Sequence, residues 1–175
     1  MSYFTEIKRS MEFLANDPKT MFLGYNVRNG NMGMKAFNDI NHDQLLEMPA
    51  AENLMVGAGI GLSIEGYKPV VYFERFDFTL NGIDAIVNHL MKYKSLSDGD
   101  YTPKCIFRVV IGRKKTPFFS GVTHTQDFTE AFQMMFNFPV IKLKDRKCIF
   151  DTYAEAYNSD TSYMIVEEAD RYNED

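Results

Sequence analysis

The stretch Glu47-Met-Pro-Ala-Ala-Glu52-Asn-Leu-Met-Val-Gly57-Ala-Gly59-Ile-Gly61-Leu-Ser-Ile-Glu65-Gly66-Tyr-Lys-Pro69-Val-Val-Tyr-Phe73-Glu74-Arg75-Phe76-Asp77-Phe78 decides the fold. Pro49 stops a short strand over Gln44–Met48, and a helix rich in small residues runs from Ala50 to Glu65. Gly66 stands where a helix turns out through a left-handed residue. The continuous β-former run Pro69–Phe73 then predicts a strand covered on both faces.

The same alternation extends in both directions. Phe4, Ile7, Met11 and Leu14 fall at helical spacing within Ser2–Ala15, and Asn16-Asp17-Pro18 ends that helix, because a residue before proline avoids the helical region. Thr20–Gly24 reads as a buried strand, and a Gly-containing loop with a short helix near Met34–Asn38 leads to Gln44. Beyond Phe78 the pattern gives a helix over Ile83–Met91, a strand over Cys105–Ile111 and a long polar loop over Gly112–Gln126. Helix, strand, helix and strand follow at Asp127–Phe136, Pro139–Leu143, Lys147–Tyr157 and Tyr163–Glu167. Strands alternating with helices predict an α/β three-layer sandwich with a mainly parallel central sheet of about six strands. In such sheets ligands bind beyond the carboxyl ends of the strands. The loops after Gly24, Met48, Phe73 and Ile111 are therefore where chemistry is expected.

Bulk properties narrow the classes. A chain of 175 residues, 45% hydrophobic and 25% charged, is expected to be one globular domain spanning 1–175. A formal net charge of -5 speaks against nucleic acid, which needs a basic face. No apolar run approaches the roughly 20 residues that span a bilayer, so no membrane partner is expected. With no leader pattern and with Cys105 and Cys148 in non-metal spacing, a cytoplasmic, reduced protein is the expectation.

Several residues admit two readings. Gly57-x-Gly59-x-Gly61 could cradle phosphate only at a strand–helix turn; here the glycines lie inside the helix, so close backbone packing on one face is the preferred reading. Glu52, in the first helical turn, is either an ordinary charge favoured by the helix dipole or a site carboxylate. Phe73, Phe76 and Phe78 are either core aromatics or a platform for a flat heterocycle. His124 is either a solvated loop residue or a proton-transfer group, which imidazole suits near neutral pH. Arg113-Lys114-Lys115 is either a solvated loop or a contact for an anionic substrate or an acidic partner. No joint metal site emerges from His42, His89 and His124.

Taken in order, Phe22-Leu-Gly24 with Val27, Pro49-Ala-Ala-Glu52, Gly57-Ala-Gly-Ile-Gly61, Gly66-Tyr-Lys-Pro69, Phe73–Phe78, Ile83-Asp84 with Val87-Asn88, Arg108 and Gly121-Val-Thr-His124-Thr-Gln126 carry a resemblance. The chain resembles the pyrimidine-binding domain of the transketolase group of thiamine diphosphate enzymes, above all the beta chain of the decarboxylating component of 2-oxo-acid dehydrogenases. The resemblance implies that Glu52 matches the glutamate that hydrogen-bonds N1′ of the aminopyrimidine. Protonation there favours the imino tautomer, which takes the proton from the thiazolium carbon. It implies that Phe78 and Phe76 pack on the pyrimidine and that His124 points into the substrate channel.

It further implies a thiamine diphosphate shared with a diphosphate-binding partner chain that holds Mg²⁺, in a heterotetramer of two copies of each chain. The substrate would be a small carbonyl compound, and the reaction 2-oxo acid decarboxylation or two-carbon ketol transfer. The diphosphate-binding and C-terminal domains of the family have no counterpart in these residues, so the chain alone is expected to be inactive. Tyr25 stands where relatives often carry an acid, and Ser97-Asp-Gly-Asp100 only looks like the family's metal motif. A non-catalytic interaction or regulatory subunit that kept the fold is the rival reading. A stand-alone nucleotide-binding α/β protein is a third.

Overall fold

The computed structural model describes residues 2–30, 32–117 and 121–174. Its element order is α1 (Tyr3–Ala15), β1 (Thr20–Gly24), β2 (Leu45–Glu47), α2 (Glu52–Ile64), β3 (Lys68–Phe73), a helical segment over 76–96 ending in α3 (Tyr93–Leu96), β4 (Ile106–Ile111), α4 (Thr129–Met135), β5 (Val140–Lys142), α5 (Ile149–Asn158) and β6 (Tyr163–Glu168). All six strands form one sheet in the order β2-β1-β3-β4-β6-β5, and every neighbouring pair is parallel.

Period-2 alternation sorts the strand residues between two cores. Val70, Tyr72, Ile106 and Ile165 face α1 and α5, whose Tyr3, Ile7, Met11, Leu14, Ile149 and Tyr153 complete one cluster. Val71, Phe73, Phe107, Val109 and Val166 face α2, the 76–96 segment and α4. Burying each of these side chains contributes about 1.5–3 kcal/mol, so the two apolar layers dominate the stability of the sandwich.

Local departures from the sequence reading have identifiable causes. β2 starts at Leu45, one residue late, because Gln44 is used as a brace: its side-chain amide nitrogen, Nε2, donates to the carbonyls of Ala15, Asp17 and Thr20. That one side chain ties the end of α1 to the start of β1. The expected regular helix over Ile83–Met91 is replaced by tight turns on either side of a wide turn at Ala85–His89, where the Leu90 N–H bonds the carbonyls of Ala85 and Ile86. The wide turn keeps Ala85, Ile86 and Leu90 together on the core.

The expectation that Gly57 and Gly61 admit a neighbouring backbone is corrected within this chain. Among the described residues a Cβ at either position would meet nothing within 4 Å. Gly59 is the residue in close contact: a Cβ there would lie 2.9 Å from Val71 Cγ2 and 3.3 Å from Cys105 Sγ. Cys105 and Cys148 are both free thiols. Among the described residues no helix is long and apolar enough to cross a membrane.

Candidate active site

The strand order reverses direction between β1 and β3: β2 lies outside β1, whereas β3 and all later strands lie on the other side. Loops leaving the carboxyl ends of two such strands diverge and open a crevice. A cleft of about 360 Å³ occupies that position. Tyr25 borders it from beyond β1, Ala50, Glu52 and Met55 from the start of α2, and Phe73, Glu74, Phe78 and Asn81 from the end of β3 onward.

Glu52 opens α2, where the exposed N–H groups of the first turn favour a carboxylate. It is half-buried, and Asn81 Nδ2 donates to its Oε2 at 3.3 Å. Gly82 makes that pairing possible. A Cβ there would come within 3.2 Å of Val56 Cγ2 and 3.5 Å of the Glu52 carbonyl oxygen, so the bare Cα lets the 76–82 segment abut the first turn of α2 without displacing the Val56 side chain. Asn81 was not singled out from sequence. Its signal was the adjacent glycine in Asn81-Gly82, which marked a close approach rather than helix interior.

The aromatic residues separate. Phe78 lines the cleft, half-buried, and its ring meets that of His124 edge-on at 5.2 Å. Phe76 does not reach the cleft. It is fully buried, edge-on to Phe128 and Phe132 at 5.7 and 5.2 Å, so its expected place on a bound ring is corrected to a place in the core. The two residues are two apart in a tight helical segment, which sends them to different sides.

His124 belongs to the wall behind Phe78. Its Nδ1 lies 2.8 Å from the Thr123 hydroxyl, and its backbone carbonyl presses on Gly112, where a Cβ would sit only 2.0 Å away. Gly112 at the end of β4 therefore lets the 121–126 segment fold back onto the sheet. Gln126 Nε2 completes the attachment by donating to Asp77 Oδ1 at 2.9 Å. Residues 118–120 of the expected Gly112–Gln126 loop lie outside the described residues.

Around Tyr25 the chain is held by Glu47, whose carboxylate accepts the backbone N–H groups of Asn26 at 2.5 Å and Arg28 at 3.0 Å. Asn26 takes a left-handed conformation (φ 60°) that asparagine tolerates. Tyr25 is exposed at the rim.

A second polar cluster lies against Tyr72, which also lines the cleft, with the Arg108 guanidinium 4.8 Å from the Tyr72 ring centroid. Arg108 Nε and Nη2 donate to Glu167 Oε1 and Oε2 at 2.7 and 3.0 Å, and Nη2 also reaches the Gly33 carbonyl at 2.9 Å. The Tyr153 and Tyr172 hydroxyls donate to the same carboxylate at 2.8 Å each. Burial, and then the Glu167 charge, push both phenols well above their ordinary range. Burial alone would lower the Arg108 guanidinium, but its bonds to Glu167 more than offset this and hold it charged. Among the described residues no three His, Cys, Asp or Glu side chains are placed to share a metal ion.

No family model matches the chain. It is 29% identical over 121 residues to the mitochondrial pyruvate dehydrogenase E1 component subunit beta of Dictyostelium discoideum, covering 67% of this chain and 33% of that protein. It is 25% identical over 117 residues to the 2-oxoisovalerate dehydrogenase subunit beta of Bacillus subtilis, covering 64% of this chain and 36% of that one. The chain thus spans about a third of the length of these relatives. A solved structure described as a split gene transketolase, inactive beta4 tetramer, superposes with a TM-score of 0.67 at 16% identity, over 95% of this chain and 49% of that one. The chain is therefore similar in sequence to the beta subunits of pyruvate and branched-chain 2-oxo-acid dehydrogenases, and its fold is that of a split transketolase chain.

Proposed function

We propose that this chain is the pyrimidine-binding subunit of a split thiamine diphosphate-dependent enzyme, acting on a carbonyl substrate together with a diphosphate-binding chain that also holds Mg²⁺. One observation carries the reading. Glu52 lines a cleft at the reversal of strand order, with an aromatic wall at Phe78 and, among the described residues, a single side-chain bond, at 3.3 Å to Asn81. A carboxylate in ionised form has about four acceptor positions, so Glu52 keeps acceptor capacity for a ligand.

The cleft suits half of such a cofactor. Its volume, about 360 Å³, is at the small end of ligand pockets, which span roughly 300–1,000 Å³. Glu52 would hold a proton between its carboxylate and a ring nitrogen of the aminopyrimidine. Phe78 would orient the ring by packing on it, and Asn81 would keep the carboxylate pointed at it. When bound, thiamine diphosphate supplies the chemistry of cleaving or forming a carbon–carbon bond beside a carbonyl. His124, behind Phe78, would border the path of the substrate.

The outer face of α2 supports a partner-dependent reading. Leu54, Gly57 and Gly61 stand exposed on a helix that is apolar nearly all round, a composition that belongs to helices covered on more than one side. We assign that face to the contact between subunits. The decisive experiment is Glu52→Gln in the pair reconstituted with thiamine diphosphate. Turnover should fall by orders of magnitude while assembly is kept. Near-normal turnover would defeat the reading. A pair that assembles but develops no cofactor circular dichroism band would instead favour a regulatory subunit that retained only the fold.

A further inference from the structure

The cleft carries a second carboxylate besides Glu52. Glu74 follows the last residue of β3 and lines the same cleft. Among the described residues that line it, these two acids are the only charged side chains. The one side-chain amide among them, Asn81, donates its Nδ2 to Glu52. An ionised carboxylate only accepts hydrogen bonds, so a ligand that fits between these acids must bring an N–H or O–H group to each.

The backbone and Arg75 fix where the Glu74 carboxylate sits. Arg75 is extended (φ -137°, ψ 141°), and along extended chain successive side chains leave on opposite sides. Glu74 turns to the cleft, whereas the Arg75 stem crosses toward the end of β4, its Cδ 3.3 Å from where a Cβ on Gly112 would stand. The guanidinium then folds back, with Nη1 bonding the Glu74 carbonyl at 2.5 Å and lying 3.3 Å from carboxylate Oε1. Both side chains are largely shielded from solvent, Arg75 at 8% exposure and Glu74 at 24%. A carboxylate has about four acceptor positions, so one ion pair holds Glu74 in place and leaves it able to accept more.

We infer that Glu74 is a further binding residue for the ring, accepting the exocyclic amino group of the aminopyrimidine whose ring nitrogen Glu52 holds. The inference rests on the cofactor reading and adds a selectivity that Glu52 alone does not supply. Two acids lining one cleft, with Phe78 against the face of the ring, admit a heterocycle that offers a donor to each. A ring with a carbonyl oxygen in place of the amino group sets an acceptor against the Glu74 carboxylate. Two shielded acceptors are then left facing each other without a proton, which is unfavourable. An amide at position 74 would restore a donor.

Titration calorimetry of the reconstituted pair tests it, with thiamine diphosphate and with oxythiamine diphosphate, in which an oxo group replaces the amino group. The wild-type pair should bind the amino form about tenfold or more tightly than the oxo form, the scale of one charge-assisted hydrogen bond. Glu74→Gln should weaken the amino form and strengthen the oxo form, so that the preference collapses. Damage to folding or assembly would lower both affinities together and keep their ratio, and that result overturns the inference. Glu74→Asp keeps the charge and withdraws it by one methylene. It should weaken the amino form without tightening the oxo form, and wild-type affinities in that variant also overturn the inference. A wild-type pair that binds neither form removes the cofactor reading and this role with it. A pair that binds the amino form, but with no preference or with one that Glu74→Gln leaves unchanged, removes the role of Glu74 alone.

Discussion

Glu167 and Glu52 are both carboxylates toward the carboxyl end of the sheet, and they are built in opposite ways. Glu167 is fully buried and accepts two bonds on each oxygen: from Arg108 and Tyr153 on Oε1, and from Arg108 and Tyr172 on Oε2. Glu52 is half-buried, faces a cleft and accepts one long bond from Asn81. A saturated buried charge fixes architecture, because every acceptor position is used and any change leaves a partner stranded. A charge with open acceptor positions at a cleft is available to a ligand.

The largest effect expected from this contrast is on catalysis. Glu52→Gln removes the charge yet keeps the shape, so the thermal unfolding midpoint of the chain should hold while turnover of the reconstituted pair falls at least a hundredfold, the scale of a lost proton-transfer group (about 10²–10⁴). Glu167→Gln should show the opposite signature. It leaves the buried Arg108 guanidinium uncompensated, which costs about 3–5 kcal/mol in urea unfolding. Removing both charges, as Arg108→Met with Glu167→Gln, should cost less than the sum of the single changes. Equal stability of Glu52→Gln and Glu167→Gln would erase the distinction.

pH separates the same two regions. Burial raises the phenols of Tyr3, Tyr72, Tyr153 and Tyr172 above their ordinary value, with the Glu167 charge adding to each. A phenol whose folded value is raised stays protonated in the folded chain after it would ionise in the unfolded one. Its contribution to stability is therefore complete below about pH 10, the unfolded value, and is lost as pH rises toward the folded value. Urea unfolding at rising pH should show stability falling above about pH 10. Tyr172→Phe, which removes one buried phenol, should make that fall shallower. An unchanged slope would mean the tyrosine cluster does not set the alkaline limit.

These contrasts also mark what the amino-acid order discloses. The alternation of apolar strands with helices, and the carboxyl-end loops as the place for a site, follow from local patterning. Arg108 stood in the sequence as a charge inside an apolar strand, and Glu167 as another at the end of Tyr163-Met-Ile-Val-Glu167. Each announced a buried partner. Which partner depends on β4 and β6 being neighbours, with Val110 opposite Glu167, and 59 residues of chain separate the pair. Local pattern does not contain that register. Phe76 and Phe78 illustrate the same boundary: both are aromatic beyond a strand end, and the tight helical turn assigns one to the core and one to the cleft. Gly112 is the converse case, since it can be read locally as a turn residue, but its use against the His124 carbonyl is a tertiary fact.

The smallest expected effect lies along α2, where the inner and outer faces repeat the contrast without charge. At Gly59 a new Cβ would sit 2.9 Å from Val71 Cγ2 and 3.3 Å from Cys105 Sγ, so Gly59→Ala must displace a packed strand side chain. Overpacking of that kind costs about 1–3 kcal/mol, more than the roughly 1 kcal/mol that alanine gains over glycine in a helix. At Gly57 a Cβ would meet nothing within 4 Å among the described residues, so Gly57→Ala should leave the isolated chain as stable or up to about 1 kcal/mol more stable. Urea unfolding of the two variants should therefore move in opposite directions. Mixed with the diphosphate-binding partner, Gly57→Ala should then assemble more weakly, if the outer face is where the second chain lies. A Gly57→Ala variant that is stabilised and assembles as tightly as the wild type would move the subunit contact off this face, leaving the glycine unexplained by packing on either side.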